Sequence, residues 1–179
     1  MRLSSIVIGL LTAASVTYAN GGEPGEGVRT RQAEMKAMSV SAKRFSEYFS
    51  GKRTYDVEDF RASAKHITVR SGSHLSSRFA VDVVAEGSDA SPSIIDDRAK
   101  FDALARDLER YSRQVTDSAQ KGDELPPAMK MRSPEALEGG PFAKKKSAIS
   151  NIASFSSEHA FHMMLQTCTA CHAAFRLKR

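Results

Sequence analysis

The chain is 179 residues long, 41% hydrophobic and 26% charged, with a formal net charge of +5 and only two cysteines. That length suits one domain around a single core, and no stretch approaches the roughly 20 apolar residues that a membrane helix needs. The basic residues are scattered except at Lys144, Lys145 and Lys146, a pattern that reads as a solvated basic face and argues against a nucleic-acid site.

In chain order, the first nineteen residues, MRLSSIVIGLLTAASVTYA, carry one positive charge at Arg2, an apolar run from Ile6 to Leu11 and a small-residue end. This is the layout of a secretory signal, with cleavage expected after Ala19. Loss of Arg2 lowers the charge to +4, and residues 20–179 are expected to form one exported, periplasmic domain. Val28, Met35, Ala42 and Phe49, with Met38 and Phe45 between, predict a helix of about six turns ended by Gly51. A second helical segment opens at Asp56, carries Val57, Phe60, Ala64 and Ile67, and weakens at Ser71-Gly72-Ser73 before Leu75 and Phe79. The run Phe79 to Ala85 reads equally as extended chain. Pro92 suits the first turn of a third helix, whose face holds Ile94, Phe101, Leu104, Leu108, Tyr111 and Val115 and which stops at Lys121-Gly122-Asp123. Asp123 to Pro141 contains four of the six prolines and Gly139-Gly140, which makes residues from about 121 to 143 a long loop. The last helix is expected from about Ala143 to Arg176, with Ile149, Ile152, Phe155, Ala160 and Met163 available for burial. Four striped helices and no clear strand predict an all-α fold, most economically an antiparallel four-helix bundle.

Both cysteines fall in the final stretch CTACHAAFR, Cys168 to Arg176. A disulfide between thiols three positions apart would close a very small ring and stabilise little. A redox-active pair normally sits at the start of a helix that follows a strand, and this pair lies near a helix end. Zinc would need two further ligands; His159 and His162 are the nearest, and ordinary partly exposed helix histidines account for them more simply. Cys-x-x-Cys-His also matches covalent attachment of haem c, each thiol adding to one vinyl group while the following imidazole faces the iron. That reading makes Cys168 and Cys171 the anchors and His172 the proximal ligand. The haem-free thiol or zinc reading remains the alternative from another class.

With Phe175 and Arg176 after it, this motif resembles that of the class II c-type cytochromes, which include cytochrome c′ and its low-spin relatives. Arg31-Gln32, the exit GKRTYD at Gly51 to Asp56, and Ser91 to Ile95 with Ala99-Lys100-Phe101 are similar to the family's first helix, its end and the start of its third helix, about half of the mature chain in all. The resemblance implies an up-and-down four-helix bundle holding one haem, and a C2 dimer paired through the first two helices. The long loop and the extended last helix depart from the family pattern.

The same resemblance assigns the far side of the iron to one residue of the first helix. Counting back from Gly51, that residue is Met35, with Met38 as the fallback. Methionine at helical spacing is ordinarily core filler, so Met35 stands between ligand and filler. The family pattern gives Arg31 the role of facing a haem propionate. Arg176, four residues after His172, is expected on the same helical face, shielding the imidazole or acting on the iron electrostatically. The expected function is an electron carrier, with His172 and Met35 both ligating the iron and redox partner proteins docking; the alternative, with the iron open on the Met35 side, is a binder of nitric oxide or carbon monoxide. No acid, base or nucleophile cluster suggests an enzyme.

Overall fold

The structure is a computed structural model that describes residues 24–81, 83–132 and 152–178. The expected signal at residues 1–19 and residues 133–143 of the expected loop lie outside these. Among the described residues there are six α-helices: α1 (Glu26–Phe49), α2 (Val57–Thr68), α3 (Gly72–Arg78), α4 (Ser93–Asp96), α5 (Arg98–Asp117) and α6 (Ser157–Phe175). The only pairing of β type among them is an isolated antiparallel bridge between Ala90 and Arg176.

Each long helix begins and ends for a local reason. Gly51, at φ 72°, turns the chain out of α1 through the left-handed region that a side chain would resist. The Asp56 carboxylate accepts the Asp59 N–H and caps α2. The expected third helix is split at Asp97, which breaks α4 and then caps α5 by accepting from the Lys100 N–H. The expected last helix is also shorter than its apolar spacing suggests. Ile152–Ser154 form a 3-10 turn, and the Ser156 hydroxyl accepts the His159 N–H to start α6 only at Ser157. Residues 143–151 lie outside the described part.

The helices α1, α2, α5 and α6 form the bundle. Packing is most extensive between α5 and α6, then between α2 and α5 and between α1 and α2, with α3 laid against α5; α1 touches α6 only sparsely. The core centre is aromatic: Phe60 lies edge-on to Phe45 at 4.9 Å and within 6 Å of Tyr48, Phe49 and Tyr55. Along α1 the buried side is Val28, Arg31, Met38, Ser41, Phe45 and Tyr48, so Met35, Ala42 and Phe49 sit on its edge rather than its centre. The expected stripe of α5 is buried, with Leu104 at its margin and Ala105 inside. After α5 the chain folds back through a 3-10 turn at Pro127–Met129. There the fully buried Met129 sulfur lies within hydrogen-bond reach of the Tyr55 hydroxyl (3.4 Å) and the Gln120 N–H (3.3 Å).

Candidate functional site

Where α1 and α6 stand apart, a cavity of about 400 Å³ opens between them, within the usual range for ligand and cofactor sites. Five of the six residues expected at the site line it: Arg31 and Met35 from α1, and Cys171, His172 and Arg176 from α6 and its end. Cys168 lies one turn earlier on α6, half-buried against the core and three residues from Cys171, so the two thiols share a helical face. Met38 points into the core instead and does not line the cavity. Of the two methionines, Met35 is therefore the one facing the same space as His172.

The walls are apolar. Phe101 meets Phe79 edge-on at 5.2 Å and Phe175 at 5.4 Å, and Ile94 completes that side. A surface of this kind excludes water from whatever flat apolar group it covers. The polar atoms are few and placed. Arg31 is 6% exposed, its Nη1 donating to the carbonyls of Arg78 (3.1 Å) and Val81 (3.4 Å) while the guanidinium lies 5.0 Å from the Phe79 ring centroid. It is thus a buried cation anchored in the cavity wall by α3 and the turn that follows.

Burial sets the protonation of the attachment residues. Desolvation, and after it the neighbouring Cys168, pushes the Cys171 thiol up to about 11, and desolvation likewise raises Cys168. Both are thiols at neutral pH, the reverse of the lowered pKa that a reactive dithiol needs. This counts against the thiol oxidoreductase reading. Desolvation, and secondarily the Arg176 cation, lowers the His172 pKa, leaving a neutral imidazole with a lone pair to offer a metal. The zinc reading finds no support either. His159 is buried and stacked on Phe155 at 4.2 Å, and among the described residues no three His, Cys, Asp or Glu side chains converge to hold an ion.

Arg176 departs from expectation. Instead of continuing the helical face of His172, it is extended at φ −110° and ψ 136°. The chain there pairs with residues 89–91: Ser91 N–H donates to the Phe175 carbonyl (2.9 Å) and Leu177 N–H to the Asp89 carbonyl (2.8 Å). The Arg176 guanidinium reaches the Asp89 carboxylate at 3.4 Å. Asp89, Ala90 and Phe79 are cavity residues that the sequence reading does not place at the site: Phe79 counts only as an apolar position at the start of a run that reads equally as extended chain, and residues 87–91 only as a break between helices.

Two cysteines on one face of a terminal helix, a neutral histidine beside them, a phenylalanine-lined cavity and a buried arginine together fit a haem c group. With the bundle around them they define a c-type cytochrome of the four-helix class. A family model described as Cytochrome C' matches residues 26–132, more than half of the chain, and the chain belongs to that family of c-type haem proteins. The match ends well before Cys168, so the attachment motif and the family assignment are independent observations. Among solved structures, cytochrome c prime from Shewanella frigidimarina is similar at 17% identity and a TM-score of 0.58, over 87% of this chain and 98% of that one. A triple mutant of Rhodopseudomonas palustris cytochrome c' is similar at 21% identity and a TM-score of 0.60, over 86% and 98%. A nitric oxide complex of a point mutant of cytochrome c prime from Alcaligenes xylosoxidans is similar at 20% and 0.57, over 85% and 94%. At these identities the likeness is one of fold. No curated protein sequence matches the chain.

Proposed function

We propose that this chain is a single-haem cytochrome c′ that binds a diatomic gas, nitric oxide or carbon monoxide, on the α1 side of the iron. The observation that carries the reading is the one cavity shared by His172 on α6 and Met35 on α1. When bound, the haem supplies an iron that changes between ferric and ferrous and accepts a small ligand on an open face. Cys168 and Cys171 would hold it through two thioethers, and the His172 imidazole would be its protein ligand. Phe79, Phe101 and Phe175 would keep water from it, and the buried Arg31 cation would offset the cost of desolvating a propionate. Met35, on the α1 wall of the cavity, would limit the room that a gas finds there. The nitric oxide complex of the Alcaligenes xylosoxidans relative supports this choice.

The second reading, an electron carrier with Met35 completing the coordination and redox proteins as partners, is favoured by the presence of Met35 on the cavity wall while Met38 is turned away. Absorbance spectra of the purified protein, with and without nitric oxide, separate the two. A high-spin ferrous spectrum that changes on adding the gas supports gas binding. A sharp low-spin spectrum that Met35→Ala converts to high spin supports the carrier, and a protein without haem bands sinks both.

Export to the periplasm with cleavage after Ala19 belongs to the same proposal, supported by the order of charge, apolar run and small residues in the first nineteen positions. So does a homodimer through α1 and α2, supported by the half-exposed Val40 on α1 and Val69 at the end of α2. A role in ligand binding or electron transfer rather than catalysis is supported by a site whose chemistry rests on the haem alone.

A further inference from the structure

The segment that ends α6 is held by an antiparallel clasp to a stretch 87 residues away in sequence. Its backbone bonds are Ser91 N–H to Phe175 O and Leu177 N–H to Asp89 O. The Ser93 hydroxyl adds a bond to the Ala174 carbonyl at 2.9 Å. Within this clasp Arg176 has left the helix for extended backbone, four residues after His172. Asp89 is engaged twice, by its carbonyl in the clasp and by its carboxylate with Arg176, and both residues line the cavity beside His172.

We propose that Asp89 is a positioning residue for the haem iron: by pairing with Arg176 it fixes that cation beside the His172 side of the cavity and offsets its charge there. The inference rests on the haem reading above. The Asp89 carboxylate is 29% exposed and the Arg176 side chain 58%, so the pair stands at the rim, where holding a long side chain costs rotamer entropy. The clasp lowers that cost because it has already fixed both backbones. A charge set in this way acts on an iron that gains or loses one electron, since a nearby positive charge favours the ferrous state and a negative one the ferric state.

The test uses the haem-loaded protein and two readouts, the midpoint potential and the ferrous iron–histidine stretching frequency. Asp89→Asn keeps shape and clasp while removing the negative charge, and is expected to raise the midpoint potential. Arg176→Gln is expected to lower it, and the double variant to return close to wild type, with Asp89→Glu restoring the parent values. The stretching frequency is expected to move in both single variants. If Asp89→Asn leaves potential and frequency unchanged while Arg176→Gln moves them, Arg176 holds its position without Asp89 and the inference is overturned. It is equally overturned if neither variant moves them, or if the double variant departs from the parent potential by as much as either single variant does. A protein that carries no haem in any variant would instead overturn the functional reading on which this one stands.

Discussion

Replacing Phe60 by alanine is the sharpest test of how the bundle is held. Phe60 is completely buried. Its ring centroid lies 4.9 Å from Phe45, 5.6 Å from both Tyr48 and Tyr55, and 5.9 Å from Phe49. Truncating a buried phenylalanine loses its transfer free energy and leaves a cavity, together about 3–5 kcal/mol. Four aromatic neighbours drawn from α1 and the turn that leads into α2 leave little to collapse into the space, which points to about 4 kcal/mol. For a domain of this size, that lowers the melting temperature by about 10 °C. Phe60→Leu keeps most of the volume and should cost about 1.5 kcal/mol. Reversible denaturant unfolding of the haem-loaded protein, followed by far-UV circular dichroism, measures both. The cluster does not line the haem cavity, so the absorbance spectrum of the folded variants should match that of the parent. A loss below about 1.5 kcal/mol for the alanine variant, or an altered haem spectrum, would refute the assignment of Phe60 to a central core distinct from the site.

Two further outcomes are expected. Gly72 adopts φ 59°, and a Cβ there would run into the Glu109 carboxylate, which is paired with Arg113. Gly72→Ala should therefore destabilise by at least about 1–2 kcal/mol in thermal unfolding, and a neutral result would show that the start of α3 can relax. Burial raises the pKa of Tyr48, Tyr55 and Tyr111, aided at Tyr48 by its 2.6 Å hydrogen bond to Asp59. Above pH 10 the unfolded chain releases these protons while the folded chain keeps them, so stability should be unaffected by them below pH 10 and fall above it. The slope is up to about 1.4 kcal/mol per pH unit per tyrosine; stability that is flat or rising between pH 10 and 11 would contradict it.

Much of the fold is legible in the sequence because it is locally encoded. The helical period marks α1, α2, α5 and α6, Gly51 and Asp56 mark boundaries by their own chemistry, and the spacing of Cys168, Cys171 and His172 matches a haem c attachment motif. The seam of α1 is harder to read because Arg31 and Ser41 occupy buried positions that an apolar count skips. The break at Asp97 and the start of α6 at Ser157 depend on single side chains accepting backbone N–H groups, which override an apolar pattern that runs on past them. Asp89 was out of reach for a different reason. Its partner lies 87 residues away, and nothing in the composition of residues 87–91, GSDAS, says that they will meet the end of the last helix. The place of Met35 on the cavity wall was legible only through the register that the family resemblance supplied, since its side chain differs from that of Met38 in direction and not in chemistry.

Met129 and Met38 make a similar contrast. Both are hidden from solvent, yet the Met129 sulfur faces a phenol and an amide while Met38 meets hydrocarbon. Met129 is therefore a weak acceptor disguised as grease, closing the chain reversal after α5 by polarity as well as by bulk. Leucine, a near match in volume, should be accepted at position 38 and resented at 129; equal tolerance at both sites in paired melting curves would show that the thioether acts there only as filling.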